Sequence, residues 1–309
     1  MTSSSPIPKQ TPKFLSALQG QSHTNPPVWF MRQAGRYLPE YRAVRATAPD
    51  FISFCFDSGK AAEVTLQPMR RFPFDASIVF ADILLIPGAL GQKVWFEAGE
   101  GPKLGDMPSV ESMAEKAGEA GKALSLVGET LTRVRAALDP DKALIGFAGA
   151  PWTVATYMIE KGSSDRIESW AEGLSEPLFD RLVTQPHIRI IEGLRARGVT
   201  VPIIGFPRGA GTLVEDYAAR TPVQGVALDT SASAKLGQTI QKTKTIQGAL
   251  DPLLLRAGGD ALLKRVDEML EQWNQGPYIF NLGHGILPDT PIANVEAVLE
   301  RVTGQKVAK

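Results

Sequence analysis

Asp75-Ala-Ser-Ile-Val-Phe-Ala-Asp-Ile-Leu-Leu-Ile86 reads as a strand buried on both faces. A near-continuous apolar run of this kind is what a parallel strand covered by helices requires. One acid, Asp82, interrupts the run near its end, and Pro87-Gly88 closes it. A carboxylate inside an apolar run is costly unless paired. Backbone amides would satisfy it, and so would N–H donors of a ligand.

Working outward, strand and helix patterns alternate along the chain. Upstream lie an apolar strand, Pro27 to Met31, a short helix from Leu38 to Ala48, and a helix from Ala61 to Phe72 bent at Pro68. Downstream, the Gly-rich residues Gly91 to Pro108 suggest an excursion with a hairpin around Val94 to Phe96. A long helix is expected from Ser109 to Leu138. Ala143 to Gly149 is the next buried strand, and Pro151 suits the start of a helix that carries Tyr157. A helix is expected from Pro177 to Arg197, and later strands begin near residues 201, 225, 245 and 278, each followed by a helical pattern.

Such alternation argues a parallel sheet. The strand candidates begin near residues 28, 77, 143, 201, 225, 245 and 278, which makes seven. A closed (β/α) barrel has eight strands and runs to ~250 residues. The span between the strands near 143 and 201 leaves two crossovers cramped, and only Arg166-Ile-Glu-Ser-Trp170 offers a further strand. The expected fold is therefore a (β/α)8 barrel of the TIM type with its fourth βα unit shortened. Residues 1–12 read as a disordered tail and 13–309 as a single barrel domain.

Composition excludes several functional classes. Lys+Arg and Asp+Glu are 33 each, which gives no bulk attraction to nucleic acid. Cys55 is the single cysteine, so an internal disulfide and a multi-cysteine metal site are excluded. That usage fits a reducing cytoplasm. The N-terminus has no signal-peptide pattern, and no apolar run approaches the ~20 residues of a membrane span.

In a barrel the ligand face lies at the C-terminal ends of the strands. Arg32 and Arg36 sit there after the first strand, around the flexible Gln33-Ala34-Gly35. Arginine is always charged and its planar fork matches carboxylates. The plain alternative is a surface ion pair with an acid such as Glu40. Asp82, Tyr157, Arg208, Asp229, Asp251 and His284 also fall at strand ends. Asp229 and Asp251 suit helix caps. Tyr157 suits core packing as well as a ligand, and His284, between two glycines, suits a turn as well as a pocket. Residues Gly205 to Gly211 lack the Lys-Ser/Thr of a P-loop and read as a tight strand-to-helix turn. Cys55 reads as buried filler. Physics alone thus reaches a barrel-like enzyme whose pocket carries two arginines and one acid, suited to a polyanionic small molecule.

Residues Pro27 to Arg42, Val-Trp-Phe-Met-Arg-Gln-Ala-Gly-Arg-Tyr at their heart, resemble the N-terminal signature of the uroporphyrinogen decarboxylase family. Gly146 to Tyr157 resembles its second signature. Thr65 to Pro68, Phe80 to Leu84, Ile204 to Gly211, Leu250 to Pro252 and Asn281 to Gly285 match in order, so the resemblance covers almost the whole chain. It implies a (β/α)8 barrel, a homodimer, and removal of the four acetate carboxyls of uroporphyrinogen III to give coproporphyrinogen III in haem synthesis. It implies no cofactor and no metal. By resemblance, Arg32 and Arg36 bind substrate carboxylates, Gln33, Ala34 and Gly35 form the loop between them, and Asp82, Tyr157, Ser169 and His284 line the pocket. Asp82 and Arg32 are the catalytic candidates. Asp82 would hold the pyrrole N–H groups and stabilise the cation formed when a ring carbon is protonated, and an arginine would relay the proton.

The sequence departs from the family pattern near residues 162–167, where a helix and most of a strand are missing. Ala249 also replaces the usual Asn before Leu-Asp-Pro. The alternative expectation is a homologue impaired in catalysis by the shortened unit.

Overall fold

The computed structural model describes residues 11–97, 100–162 and 174–307. Arg166 to Trp170, the expected remnant of the fourth strand, and Ser169 with it, lie outside them. Eight strands are present among the described residues: β1 (Ala76–Ile78), β2 (Val94–Glu97), β3 (Gly101–Leu104), β4 (Ala143–Ile145), β5 (Ile204–Gly205), β6 (Gly225–Ala227), β7 (Thr245–Leu250) and β8 (Tyr278–Leu282). β2 and β3 form the expected antiparallel hairpin, Val94 opposite Leu104. It leans on the body through Phe96, whose ring centroid lies 4.4 Å from that of Phe51.

The other six strands pair only in parallel: β1 with β4, and β5-β6-β7-β8 in chain order. Val28 stands between the two sheets as a seventh, minimal strand. It bridges Phe280 in β8, while its carbonyl accepts the Asp75 N–H and its own N–H donates to Asp75 Oδ2 at 2.8 Å. The neighbours therefore run β4, β1, Val28, β8, β7, β6, β5. That is the strand order of the expected barrel, with no strand at its fourth position among the described residues. Among the described residues β4 pairs only with β1 and β5 only with β6.

Burial follows this order. All residues of β6, β7 and β8 are buried. At the two ends of the array Phe147, beyond β4, is 43% exposed and Val201, ahead of β5, is 62% exposed. The helix Gln185–Ala196 beside β5 buries only Ile191, and its Ile190 is 47% exposed. Inner strands are covered by neighbours and helices on all sides, and the end strands are not.

The core fills the space inside and behind the strands. Phe30, Phe74 and Phe280 are fully buried, with Phe30 edge-on to Phe74 at 5.3 Å. Trp29 donates its indole N–H to Gln247 Oε1 at 3.0 Å, which ties the first strand to β7 with both polar groups satisfied.

Three expectations are corrected here. Asp75 to Ile86 is not one strand: β1 ends at Ile78, and Leu85–Ala89 is a helical turn that contains Pro87-Gly88. The strand ends before Asp82, whose Oδ1 accepts the Leu84 N–H at 2.8 Å and turns the backbone into the helical turn that follows. The long helix from Ser109 to Leu138 is three pieces, Val110–Ala117, Ala120–Ala123 and Ser125–Ala137, parted near Gly118 and Leu124. The helix expected from Pro177 to Arg197 carries a π turn at Asp180–Thr184 directly before Gln185-Pro186. Proline inside a helix has no N–H to donate and crowds the carbonyl four residues back, and a widened turn relieves both.

Candidate active site at the strand ends

The loop after the first strand is built around Gln33. Its side chain is fully buried: Oε1 accepts the Phe30 N–H at 3.1 Å, and Nε2 donates to Ala76 O in β1 at 3.1 Å. Gln33 is thus a strut between two strand ends, with its side chain turned into the protein. On either side of it, Arg32 and Arg36 are exposed. Arg32 adopts φ 63°, a left-handed conformation that a non-glycine residue rarely takes. Gly35 makes the turn possible, since a Cβ there would lie 2.8 Å from the Arg32 carbonyl oxygen.

The expected ion pair with Glu40 is absent. Glu40 is taken by Arg71, at 2.7 and 3.0 Å. Among the described residues neither Arg32 nor Arg36 forms an ion pair, so two cations are left facing outward at the end of the first strand.

The Arg32 side chain lies across the β8 loop. A Cβ built on Gly285 would sit 2.4 Å from Arg32 Cδ. His284 is the neighbour of that glycine. Arg32 also acts electrostatically on Asp82. Burial pushes the Asp82 carboxyl above its ordinary range, and the Leu84 N–H and Arg32 only partly oppose that shift. Tyr157, from the helix Pro151–Glu160, packs in one cluster with Ile83, Leu84 and Met158. His284, Arg32, Asp82 and Tyr157 are therefore linked through direct neighbours at one end of the strand array. Ser169 lies outside the described residues.

Two of the strand-end candidates, Asp229 and Asp251, are structural. Asp251 caps Pro252–Ala257 through the Leu253 N–H at 2.8 Å, as expected. Asp229 does not cap the next helix, which Ser233 caps instead. It accepts the Gly209 N–H at 2.8 Å and the Ser231 hydroxyl at 2.6 Å, which draws the β5 turn to the end of β6. Cys55 is buried, and burial raises its thiol well above the ordinary value. A cavity of about 320 Å³ lies between Pro207–Glu215 and Leu228–Thr239, and it is lined by none of Arg32, Asp82, Tyr157 or His284. Among the described residues no group of three His, Cys, Asp or Glu is placed to hold a metal ion, and no helix is long and apolar enough to cross a membrane.

Gly285→Ala is expected to weaken binding of a polycarboxylate ligand. Gly285 does not have a positive φ, so alanine suits its backbone. Its methyl group would displace the Arg32 side chain, and a misplacement of about 1 Å at a reacting site costs on the order of 100-fold. Affinity for coproporphyrin III, read by fluorescence, should fall by at least ~10-fold at an unchanged melting temperature. Unchanged affinity would remove the link between Gly285 and Arg32.

An α/β array in this strand order, with arginines and a desolvated carboxylate at the strand ends, fits a barrel-type enzyme. The comparisons specify which. The family model for uroporphyrinogen decarboxylase (URO-D) matches residues 9–170 and again 164–305. Curated relatives named uroporphyrinogen decarboxylase include one from Caulobacter vibrioides, 85% identical over 351 residues with all of both chains covered. Another, from Phenylobacterium zucineum, is 56% identical over 339 residues, covering 96% of this chain and 98% of its own. The protein belongs to the uroporphyrinogen decarboxylase family. Among solved structures, a methyltransferase from Methanosarcina mazei superposes with TM-score 0.64 over 94% of this chain and 97% of its own, at 16% identity, a likeness of fold alone.

The comparisons also bear on the shortened unit. The two family matches meet at 164–170. The Caulobacter alignment spans 351 residues against 309 in this chain, a difference of 42. One βα unit needs ~30 residues or more. The deficit seen in the strand count and the break in the family match coincide.

Proposed function

We propose that the protein decarboxylates the four acetate side chains of uroporphyrinogen III to give coproporphyrinogen III and CO2, a step of haem biosynthesis. Membership of the family over nearly the whole chain carries this reading. The site supports it: two arginines without an ion pair among the described residues offer forks for acetate and propionate groups. Asp82, desolvated and served by a single backbone N–H among the described residues, has room for further donors, and pyrrole N–H groups would supply them. Protonation of a ring carbon then develops positive charge beside the carboxylate, which favours loss of CO2. Arg32 and Asp82 act in catalysis in this reading. Gln33, Ala34, Gly35, Arg36, Tyr157, Ser169 and His284 contact or shape the bound tetrapyrrole. The working species is a homodimer in the cytoplasm, acting without a cofactor.

The purified protein should convert uroporphyrinogen to coproporphyrinogen, detected by chromatography of the oxidised porphyrins. A folded protein that gives no product would overturn the reading in favour of a homologue impaired by its shortened unit.

A further inference from the structure

Asn281 lies in β8 between Phe280 and Leu282, and it is wholly buried. Its Oδ1 accepts two backbone N–H groups, that of Met31 at 3.0 Å and that of Leu282 at 2.7 Å. The Met31 carbonyl in turn accepts the Ile286 N–H at 2.9 Å. Both backbone groups of Met31 are therefore held from β8 and the loop that follows it. The next residue is Arg32, the one with φ 63°. A left-handed non-glycine residue persists only where its surroundings over-determine it.

The other end of the Asn281 amide is unserved. Nδ2 finds no hydrogen-bond partner among the described residues. Burying an amide that leaves its donors unmet is costly, and an apolar residue would fill β8 without that cost. The acceptor end must therefore do something that packing does not require. What it does is fix the residue before Arg32, while Gly285 leaves room for the Arg32 side chain three residues beyond Leu282.

We propose that Asn281 is a positioning residue for the reaction: through Met31 it holds Arg32 in the left-handed conformation that lays its side chain across Gly285. The inference rests on the reading of Arg32 as a carboxylate-binding group.

A double-mutant cycle tests it, with coproporphyrin III as a stable polycarboxylate probe and uroporphyrinogen turnover beside it. Asn281→Ala should weaken coproporphyrin III binding by about 10-fold in the wild-type background, and by less than about 2-fold once Arg32→Ala is present, because groups that act through one another are not additive. Asn281→Asp keeps the accepting oxygen and should retain most of the affinity. Equal costs in both backgrounds, or an Asn281→Asp variant as weak as Asn281→Ala, overturn the inference. Should Asn281→Ala fail to fold by circular dichroism, Asn281→Ser takes its place in the cycle under the same criteria. If Arg32→Ala alone leaves binding unchanged, the carboxylate reading of the site falls and this inference falls with it. Additive costs sink this inference alone.

Discussion

Asp82→Asn is expected to lower coproporphyrinogen formation by on the order of 10²- to 10³-fold, the usual cost of deleting one preorganised electrostatic contact to a transition state. The fold should not suffer. Asparagine keeps an oxygen for the Leu84 N–H and removes a desolvated charge. The pH dependence fixes the sign. The carboxyl of Asp82 sits above its ordinary value in the folded protein, chiefly through burial. A group raised in this way contributes stability that is fully present below its unfolded pKa and is lost as pH rises through the folded one. At neutral pH the ionised carboxylate is therefore a burden on the fold, and a neutral amide in its place would not be. Melting of the variant should equal or exceed that of the wild type at pH 7 to 8, and the gap should close as the buffer is taken down towards the carboxylate range. Turnover within a factor of ~3 of wild type would remove Asp82 from the mechanism. A variant that unfolds would reassign it as a structural cap.

The second large effect concerns the open end of the array. The protein is expected to melt at least about 10 °C below its Caulobacter relative, which corresponds to several kcal/mol at ~2 °C or more per kcal/mol for a domain of this size. The reasons are the two strands that lack an outer neighbour among the described residues and the exposed Phe147, Ile190 and Val201 that flank them. Unpaired strand edges also template association. Heating should therefore end in irreversible aggregation, and light scattering should rise together with the loss of ellipticity. Coincident, reversible melts of the two proteins would mean that the edges are covered and the array is closed.

Periodicity is enough to place the parallel strands among the described residues, because a strand buried on both faces is apolar along most of its length. It also finds the hairpin and the unit that is short. It fails where one side chain redirects the backbone. Asp82 turns the backbone beyond β1 by bonding to Leu84, and a pattern of apolar residues cannot report that bond. Pro186 is plain in the sequence, but the π turn that accommodates it is not. At the site, residue type points to Arg32, Asp82, Tyr157 and His284, and the fold links them through direct neighbours. Gln33 reads from sequence as part of the ligand loop, whereas its side chain is a buried strut. Asn281 escapes a search for charged and aromatic pocket residues. Its signal is nonetheless there in Tyr-Ile-Phe-Asn-Leu: an amide in the middle of a fully buried strand must be there for a hydrogen bond.

Val28 joins the beginning of the chain to its last strand, and Asn25 adds a bond from its side-chain amide to Thr303 O at 2.8 Å. Residues near the two ends of the sequence thus share one side of the sheet, while among the described residues the break in strand pairing falls in mid-sequence. Sewn end to end and cut between Gly162 and Leu174, the same polypeptide would be a circular permutant that lists its strands in the order in which they stand: β5, β6, β7, β8, Val28, β1, β4. Every pairing would then join neighbours along the chain. The longest-range strand pairing among the described residues, from Val28 to Phe280, would become a short one, and topology of that kind folds faster.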